Sequence, residues 1–410
     1  MNDVDNPLGT DAIRVLRPTL ESLGPSAIAA IRRIPPHDRN EVESTIARRP
    51  AGIFTDPSHY EQEQRAIFRR LPVPVGLSVQ LPEPNMFLAL NAYGLPILLS
   101  RTATGEVKAF LNVCQHKGSL LVERADAFKA GRVSCPYHAW TFSATGKLVG
   151  VPRQEVFAGL RKEDHPLAEL ACKEAGGLIW VVLDRNVEPD FSHIHDDLVS
   201  DFEALNLPRL HLYGHKTFEL DANWKLVLEP FLEPYHIQRL HANSVAGMFA
   251  DLPNVVDVLG EHIRQVSGKA DFEPSVLDKP GENIHKSVTF AYMVFPNTVV
   301  ITSPHYISVK IVKPNGPAKS TVEYFMLTRT PPDNDKAKEL YARSFELILD
   351  VFGNEDYHAA CISQRGIESG AIRELIYGGM ETNIPLFYEF VERRLAAAGA
   401  YAMTDHSSRS

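Results

Sequence analysis

Two short runs constrain this chain more than any other feature: Cys114-Gln-His116 and, after eighteen intervening residues, Cys135-Pro-Tyr-His138. Each run sets a thiolate beside an imidazole on one tight loop, so two such loops brought together offer two sulfurs and two nitrogens to a common centre. The surrounding texture suits a scaffold of short strands. Met86–Ala92 and Leu95–Arg101 have strand character, TATGE is a turn leading into 107–113, and the apolar run 178–183 closes the region as a buried strand.

A [2Fe–2S] cluster with mixed ligation uses this donor set asymmetrically, with both Cys on one iron and both His on the other. Replacing two anionic thiolates by neutral imidazoles raises the potential of such a cluster, which suits a relay taking electrons from a low-potential carrier. Structural zinc also accepts two Cys and two His, and remains the competing reading. Zinc loops usually pair like with like, whereas here each loop supplies one of each. The other two cysteines, Cys172 and Cys361, have no His at ligand spacing and read as unliganded thiols.

Composition removes other classes. With 42 Lys+Arg against 51 Asp+Glu, the net charge of −9 argues against a nucleic-acid binder. No apolar run approaches the ~18 residues of a membrane helix. The first residues, MNDVDNPLGTDAIRV, lack the apolar core of a secretory signal. Together with the small number of cysteines this predicts a cytoplasmic protein with reduced thiols.

From residue 185 the pattern is α+β. Strands are predicted at 216–220, 287–295, 298–303, 306–312 and 321–330, with helices at 333–352, onward through 369, and at 383–398. The segment 223–241, NWKLVLEPFLEPYHIQRLH, reads as mostly helical with interruptions at Pro230 and Pro234. It contains His236 and His241, five apart. On an ideal helix that spacing is about 140° of rotation, so both rings meet one ion only if the backbone leaves regular helix between them.

The stretch FLNVCQHKGSLLV…VSCPYHAWTFSATGKLVGVP resembles the cluster-binding segment of the Rieske non-haem iron oxygenase α-subunits, and the flanking hairpin GLPILLSRTATGEVKAF agrees. Lys117 stands where that family usually has Arg, and Ala139 where it often has Gly. The resemblance extends to the NWK start and the D/E-x-x-H-x4-H pattern of 223–241. It implies that His236 and His241 are two arms of a 2-His-1-carboxylate triad holding Fe(II). It also implies a third arm in NEDYHAACISQRGIESG, with Asp356 as the candidate and Glu355 as the backup.

Glu233, three residues before His236, can hydrogen-bond the free ring nitrogen of that ligand. In the family the residue at this position bridges the iron ligand to a cluster His of a neighbouring subunit in a head-to-tail trimer, and His138 is the matching residue here. Glu229 is a weaker candidate for that bridge, a full turn farther back.

The expected architecture is therefore α+β. An all-β Rieske domain (56–184) stands before a helix-over-antiparallel-sheet, helix-grip-like catalytic domain (185–410), with a helical segment (1–55) packing on the latter. The resemblance implies a terminal oxygenase with a Rieske [2Fe–2S] cluster held by Cys114, His116, Cys135 and His138, and a mononuclear iron at His236, His241 and Asp356. No convincing GxGxxG follows a strand, so the ferredoxin or flavin-dependent reductase is a separate partner. O2 and a small organic substrate complete the reaction, which is hydroxylation, dihydroxylation or oxidative demethylation. A homotrimer is the expected assembly, with a β-subunit as a further option. Phe231, Leu232, Phe249, Tyr292, Val294, Phe295 and Phe352 are candidate pocket walls that favour an aromatic substrate. Relatives with a Glu bridge that act on alkylammonium compounds provide the alternative. A Rieske electron-transfer protein without oxygenase activity is the reading from a different class.

Overall fold

A computed structural model describes residues 19–37, 42 and 44–407. The chain forms two compact units, Glu63–Ile194 on one side and the residues up to Gln62 with those from His195 onward on the other. The chain thus leaves the second unit and re-enters it. Strand Ala47–Pro50 pairs antiparallel with Glu374–Tyr377, more than three hundred residues later, which ties the early segment to the C-terminal part.

The unit Glu63–Ile194 is built of short strands. A five-stranded sheet runs in the order Glu169–Leu170, Val107–Leu111, Leu95–Arg101, Met86–Ala92 and Phe128–Lys129. A three-stranded sheet joins Cys172–Ala175, Leu178–Val182 and Pro72–Leu77, and another joins Arg132–Ser134, Thr141–Ser143 and Leu148–Gly150. Leu178–Val182 is buried at every position, as its unbroken apolar run requires.

The second unit is an antiparallel seven-stranded sheet covered by helices. Its order is His211–Leu220, Lys319–Thr328, Tyr306–Gly316, Thr298–Thr302, Val288–Val294, His262–Gly268 and Val255–Leu259. The last two strands form a hairpin that the sequence reading did not identify, turned at Gly260 with φ of +67°. Helix Asp335–Asp350, started by the Asn334 side chain accepting from the Ala337 N–H at 2.9 Å, lies over the sheet. It runs through one wide π turn, Val351–Asp356, into helix Tyr357–Glu368. Phe345 packs so closely on strand residue Gly214 that a Cβ there would lie 2.7 Å from its ring.

Alternation along the strands decides what the sheet shows to its two faces. On Val288–Val294, Thr289 and Ala291 face a cavity, while Tyr292 and Val294 face the opposite side. Tyr292 donates from its hydroxyl to Asp201 at 3.0 Å, within a buried group where Arg264 pairs with Asp201 (2.7 Å) and Asp257 (2.8 Å). Tyr292, Val294, Phe295 and Leu232 are therefore core rather than pocket wall. Phe231, Phe249 and Phe352 do line the cavity. No helix among the described residues is long and apolar enough to cross a membrane.

Candidate metal centres

The two Cys–His loops are the same turn used twice. Cys114 N–H donates to Ser119 O and Cys114 O accepts from Gly118 N–H; Cys135 N–H donates to Trp140 O and Cys135 O accepts from Ala139 N–H, all at 2.8–3.0 Å. The residue four after each cysteine must adopt the left-handed conformation, with φ of +73° at Gly118 and +55° at Ala139. The Gly-to-Ala departure noted above thus sits at a position with a backbone reason for glycine.

Both cysteines are buried and their thiols lie within hydrogen-bonding reach of each other. Burial raises the Cys114 thiol pKa. At Cys135 the same desolvation is outweighed by the backbone N–H groups of Tyr137 and His138, which hold that thiol below its ordinary value. The rings of His116 and His138 are 4.7 Å apart, and His116 is stacked on Trp140 at 4.8 Å and 8°. Desolvation, then the neighbouring His138 and Lys117, lower the His116 pKa toward the neutral, metal-binding form. His116 Nδ1 is buried without a hydrogen-bond partner. Two convergent sulfurs, two adjacent imidazoles and an orphaned ring nitrogen fit the mixed-ligand cluster. The His138 ring is on an exposed residue, and Lys117 Nζ sits 5.7 Å from the Tyr137 ring.

In the other unit, 223–241 is far less helical than its apolar spacing suggests. Asn223 caps a single five-residue helix, Trp224–Leu228, by accepting from the Lys225 N–H at 3.0 Å. A 3-10 turn, Glu229–Leu232, follows with Pro230 as its second residue, and Glu233 is extended at φ −147° and ψ 152°. The carbonyls freed by this break are taken up by side chains. Gln265 Nε2 donates to Phe231 O (2.8 Å) and Asn383 Nδ2 to Leu232 O (3.1 Å). The sequence carried no signal for either partner.

His236 precedes a four-residue helix, Ile237–Leu240, and His241 ends it at φ −92° and ψ 18°. One short turn bounded by irregular backbone resolves the five-residue spacing, and the two rings come to 5.0 Å. Asp356, at the end of the π turn, completes the group. Its Oδ1 is 3.5 Å from His236 Nε2 and 3.4 Å from His241 Nε2, and one ligand atom from each of the three lies within 4.8 Å of the others.

The remaining ring nitrogens are held by other carboxylates. His236 Nδ1–H donates to Glu233 Oε1 at 2.8 Å, while Glu233 Oε2 accepts from the His236 backbone N–H at 3.0 Å. His241 Nδ1–H donates to Glu355, which also accepts from Ser244 Oγ at 2.8 Å. Glu355, the backup third ligand, thus meets the far side of the His241 ring, and Asp356 alone faces both Nε2 atoms.

Asp356 Oδ1 is buried without any hydrogen-bond donor. A carboxylate oxygen in that state is costly unless a cation neutralises it, and two imidazole nitrogens facing the same space fit a divalent metal held on one side. Burial disfavours charge on His241, yet Asp356 and Glu355 hold its pKa above the ordinary histidine value, a pull that a cation between the rings would replace. Glu229, weighed as an alternative bridge, is engaged elsewhere. Its Oε1 accepts from Tyr377 (2.8 Å) and Tyr388 (2.6 Å).

The three residues form one end of a cavity of about 350 Å³, within the range of small-molecule sites.

Residues 72–162 match the model of the Rieske [2Fe-2S] domain, and residues 207–397 that of the ring hydroxylating alpha subunit, catalytic domain. Choline monooxygenase, chloroplastic, of Spinacia oleracea is 26% identical over 381 residues, covering 90% of this chain and 82% of that protein. The biphenyl 2,3-dioxygenase subunit alpha of Rhodococcus jostii (strain RHA1) is 31% identical over 230 residues, covering 53% of this chain and 48% of that subunit. The crystal structure of a quaternary ammonium Rieske monooxygenase in complex with L-carnitine shares the fold with a TM-score of 0.70 at 23% identity, over 88% of this chain and 99% of the other.

Proposed function

The chain belongs to the Rieske non-haem iron oxygenase α-subunits, and from that membership we propose that its two centres work in series to place oxygen from O2 on a small organic substrate. Like other members it takes electrons from a separate reductase or ferredoxin. The observation that carries the residue assignment is the convergence of His236 Nε2, His241 Nε2 and the donorless Oδ1 of Asp356 at the end of a cavity. Cys114, His116, Cys135 and His138 hold the [2Fe–2S] cluster, and His236, His241 and Asp356 the iron. When bound, the cluster supplies one-electron transfer and the iron supplies reductive activation of O2.

The chain's own groups prepare that chemistry. Glu233 and Glu355 take the Nδ1–H of His236 and His241, which fixes both tautomers with Nε2 free to ligate. Asp356 supplies the anionic arm from a buried position, and leaves the side toward the cavity open to O2 and substrate. Phe231, Phe249 and Phe352 exclude water from that side.

A head-to-tail homotrimer completes the electron path, with Glu233 linking His236 to the partner subunit's His138. The exposure of His138 and the proximity of Glu233 to His236 support this arrangement. Four cysteines without a disulfide support a cytoplasmic setting. Metal and sulfide analysis of the purified protein tests the reading. Iron beyond the cluster, lost in His236→Ala while the cluster's visible spectrum survives, is the expected outcome. Zinc without sulfide would overturn both assignments.

A further inference from the structure

The cavity has a chemical gradient from end to end. Its acidic lining residues, Glu233 and Asp356, both belong to the metal end. At the other end stand Lys269 and His305, with Ser303 between the sheet and His305. Strand register separates the two ends. Lys310, whose ammonium lies 3.9 and 3.5 Å from the ring centroids of Phe231 and Phe352, is level with Val299, Met293 and Ile263 on the successive strands. Lys269 follows Gly268, six residues along from Ile263, or about 20 Å of strand.

Between the ends, alternation turns Gln265 and Ser267, Thr289 and Ala291, and Ile301 toward the cavity across three strands.

Lys269 is half-buried, and its ammonium has no hydrogen bond or ion pair among the described residues. Asp271 acts on it from a distance, and desolvation lowers its pKa. Around the neighbouring His305 the charges are cationic. Arg329, Lys286 and Lys269 all act on His305, and Arg329 and Lys269 act on the buried His285. A partly desolvated cation with no hydrogen bond or ion pair of its own, on which only Asp271 acts from a distance, is a site that an anion stabilises.

We infer that the substrate is a small organic carboxylate whose anionic head pairs with Lys269 Nζ beside His305 and Ser303, with its apolar body laid past Phe249, Phe231 and Phe352 toward His236, His241 and Asp356. This deepens the oxygenase reading above and rests on it. The carboxylate is bound remote from the metal end, so it sets which carbon is presented there rather than ligating the metal. Lys269 is a specificity residue in this scheme and takes no part in oxygen chemistry.

The test uses holoenzyme and two matched pairs, 4-methylbenzoate with 4-methylbenzamide and 4-methylpentanoate with 4-methylpentanamide. Thermal shift and equilibrium binding are followed at concentrations up to about 10 mM, with an expected preference of at least about tenfold for one acid over its amide. Lys269→Met abolishes that preference and Lys269→Arg keeps it, with the cluster spectrum unchanged in both. Amides that bind as well as their acids in both pairs, a preference that survives in Lys269→Met, or binding by neither acid overturns the inference. Iron and sulfide content are measured on the same samples. Their loss counts against the oxygenase reading, whereas acid–amide indifference in fully loaded enzyme counts against the carboxylate site alone.

Discussion

Glu233 holds His236 at two points, with Oε1 2.8 Å from the ring Nδ1 and Oε2 3.0 Å from the backbone nitrogen. The extended backbone of Glu233 and the turn that follows make this double contact possible, because a regular helix would occupy the His236 N–H with a carbonyl four residues back. The same carboxylate therefore sets the ring orientation and ends the irregular segment. Glu233→Gln keeps one acceptor for Nδ1–H, so both metals should be retained. Reoxidation of the reduced cluster in single-turnover experiments should slow by about 10–100-fold. An unchanged rate with full iron would remove Glu233 from the electron path.

Neighbouring acids with different targets predict different defects. Asp356 Oδ1 faces both Nε2 atoms, whereas Glu355 touches only the Nδ1 side of His241. Asp356→Ala should lose the mononuclear iron altogether. Glu355→Gln should still bind iron, with affinity lowered by about 10–100-fold. Iron titrations of the two variants, with cluster absorbance as the internal control, separate them. Equal iron loss in both would mean that the ligand roles are misassigned.

Glu229 predicts a pH-dependent stability. Desolvation beneath Tyr377 and Tyr388 pushes its pKa up to about 7 from 4.5. A carboxyl with a folded pKa above its unfolded one binds its proton more tightly in the folded state. Its contribution is therefore most favourable below about pH 4.5, and is lost as pH rises toward and through 7. Glu229→Gln removes this dependence. The melting temperature of the variant relative to the parent should rise between pH 5 and pH 8.5, by the equivalent of about 1–3 kcal/mol. A difference that is flat with pH would show that Glu229 does not titrate in this range.

Ala139 carries the left-handed backbone that closes the second Cys–His loop. Ala139→Gly relieves the Cβ strain of about 1–2 kcal/mol but adds freedom to the unfolded chain, so a net gain of about 0.5 kcal/mol is expected. Thermal release of the cluster, followed by its visible absorbance, is the measurement. Destabilisation would mean that the Ala139 methyl is packed favourably.

Local information was enough for much of this protein. Strands Met86–Ala92 and Leu95–Arg101 follow from local apolar patterning, and the paired Cys–His loops from spacing within five residues. Helix Asp335–Asp350 follows from its stripe and cap. The hairpin Val255–Leu259 with His262–Gly268 carries a local signal too, alternation around a Gly at the turn. Segment 223–241 has helical apolar spacing, but that spacing reports a period and not the points where a backbone stops obeying it. Its true conformation depends on Gln265 and Asn383, which lie 34 and 151 residues away and satisfy carbonyls that helix would otherwise have used.

The sequence alone determined which donors exist: two Cys–His loops, a histidine pair, and two adjacent acids near residue 355. Ligand type and short spacing are local properties, and are written in neighbouring residues. Tertiary structure decided which acid faces the histidines, where Glu229 spends its carboxylate, and which alternate side chains of the sheet line the cavity. It also brought Lys269 into the lining of the cavity that His236, His241 and Asp356 share. Each of these depends on register and on contacts between residues far apart in the chain, and a side chain's face on a strand reverses with a shift of one residue.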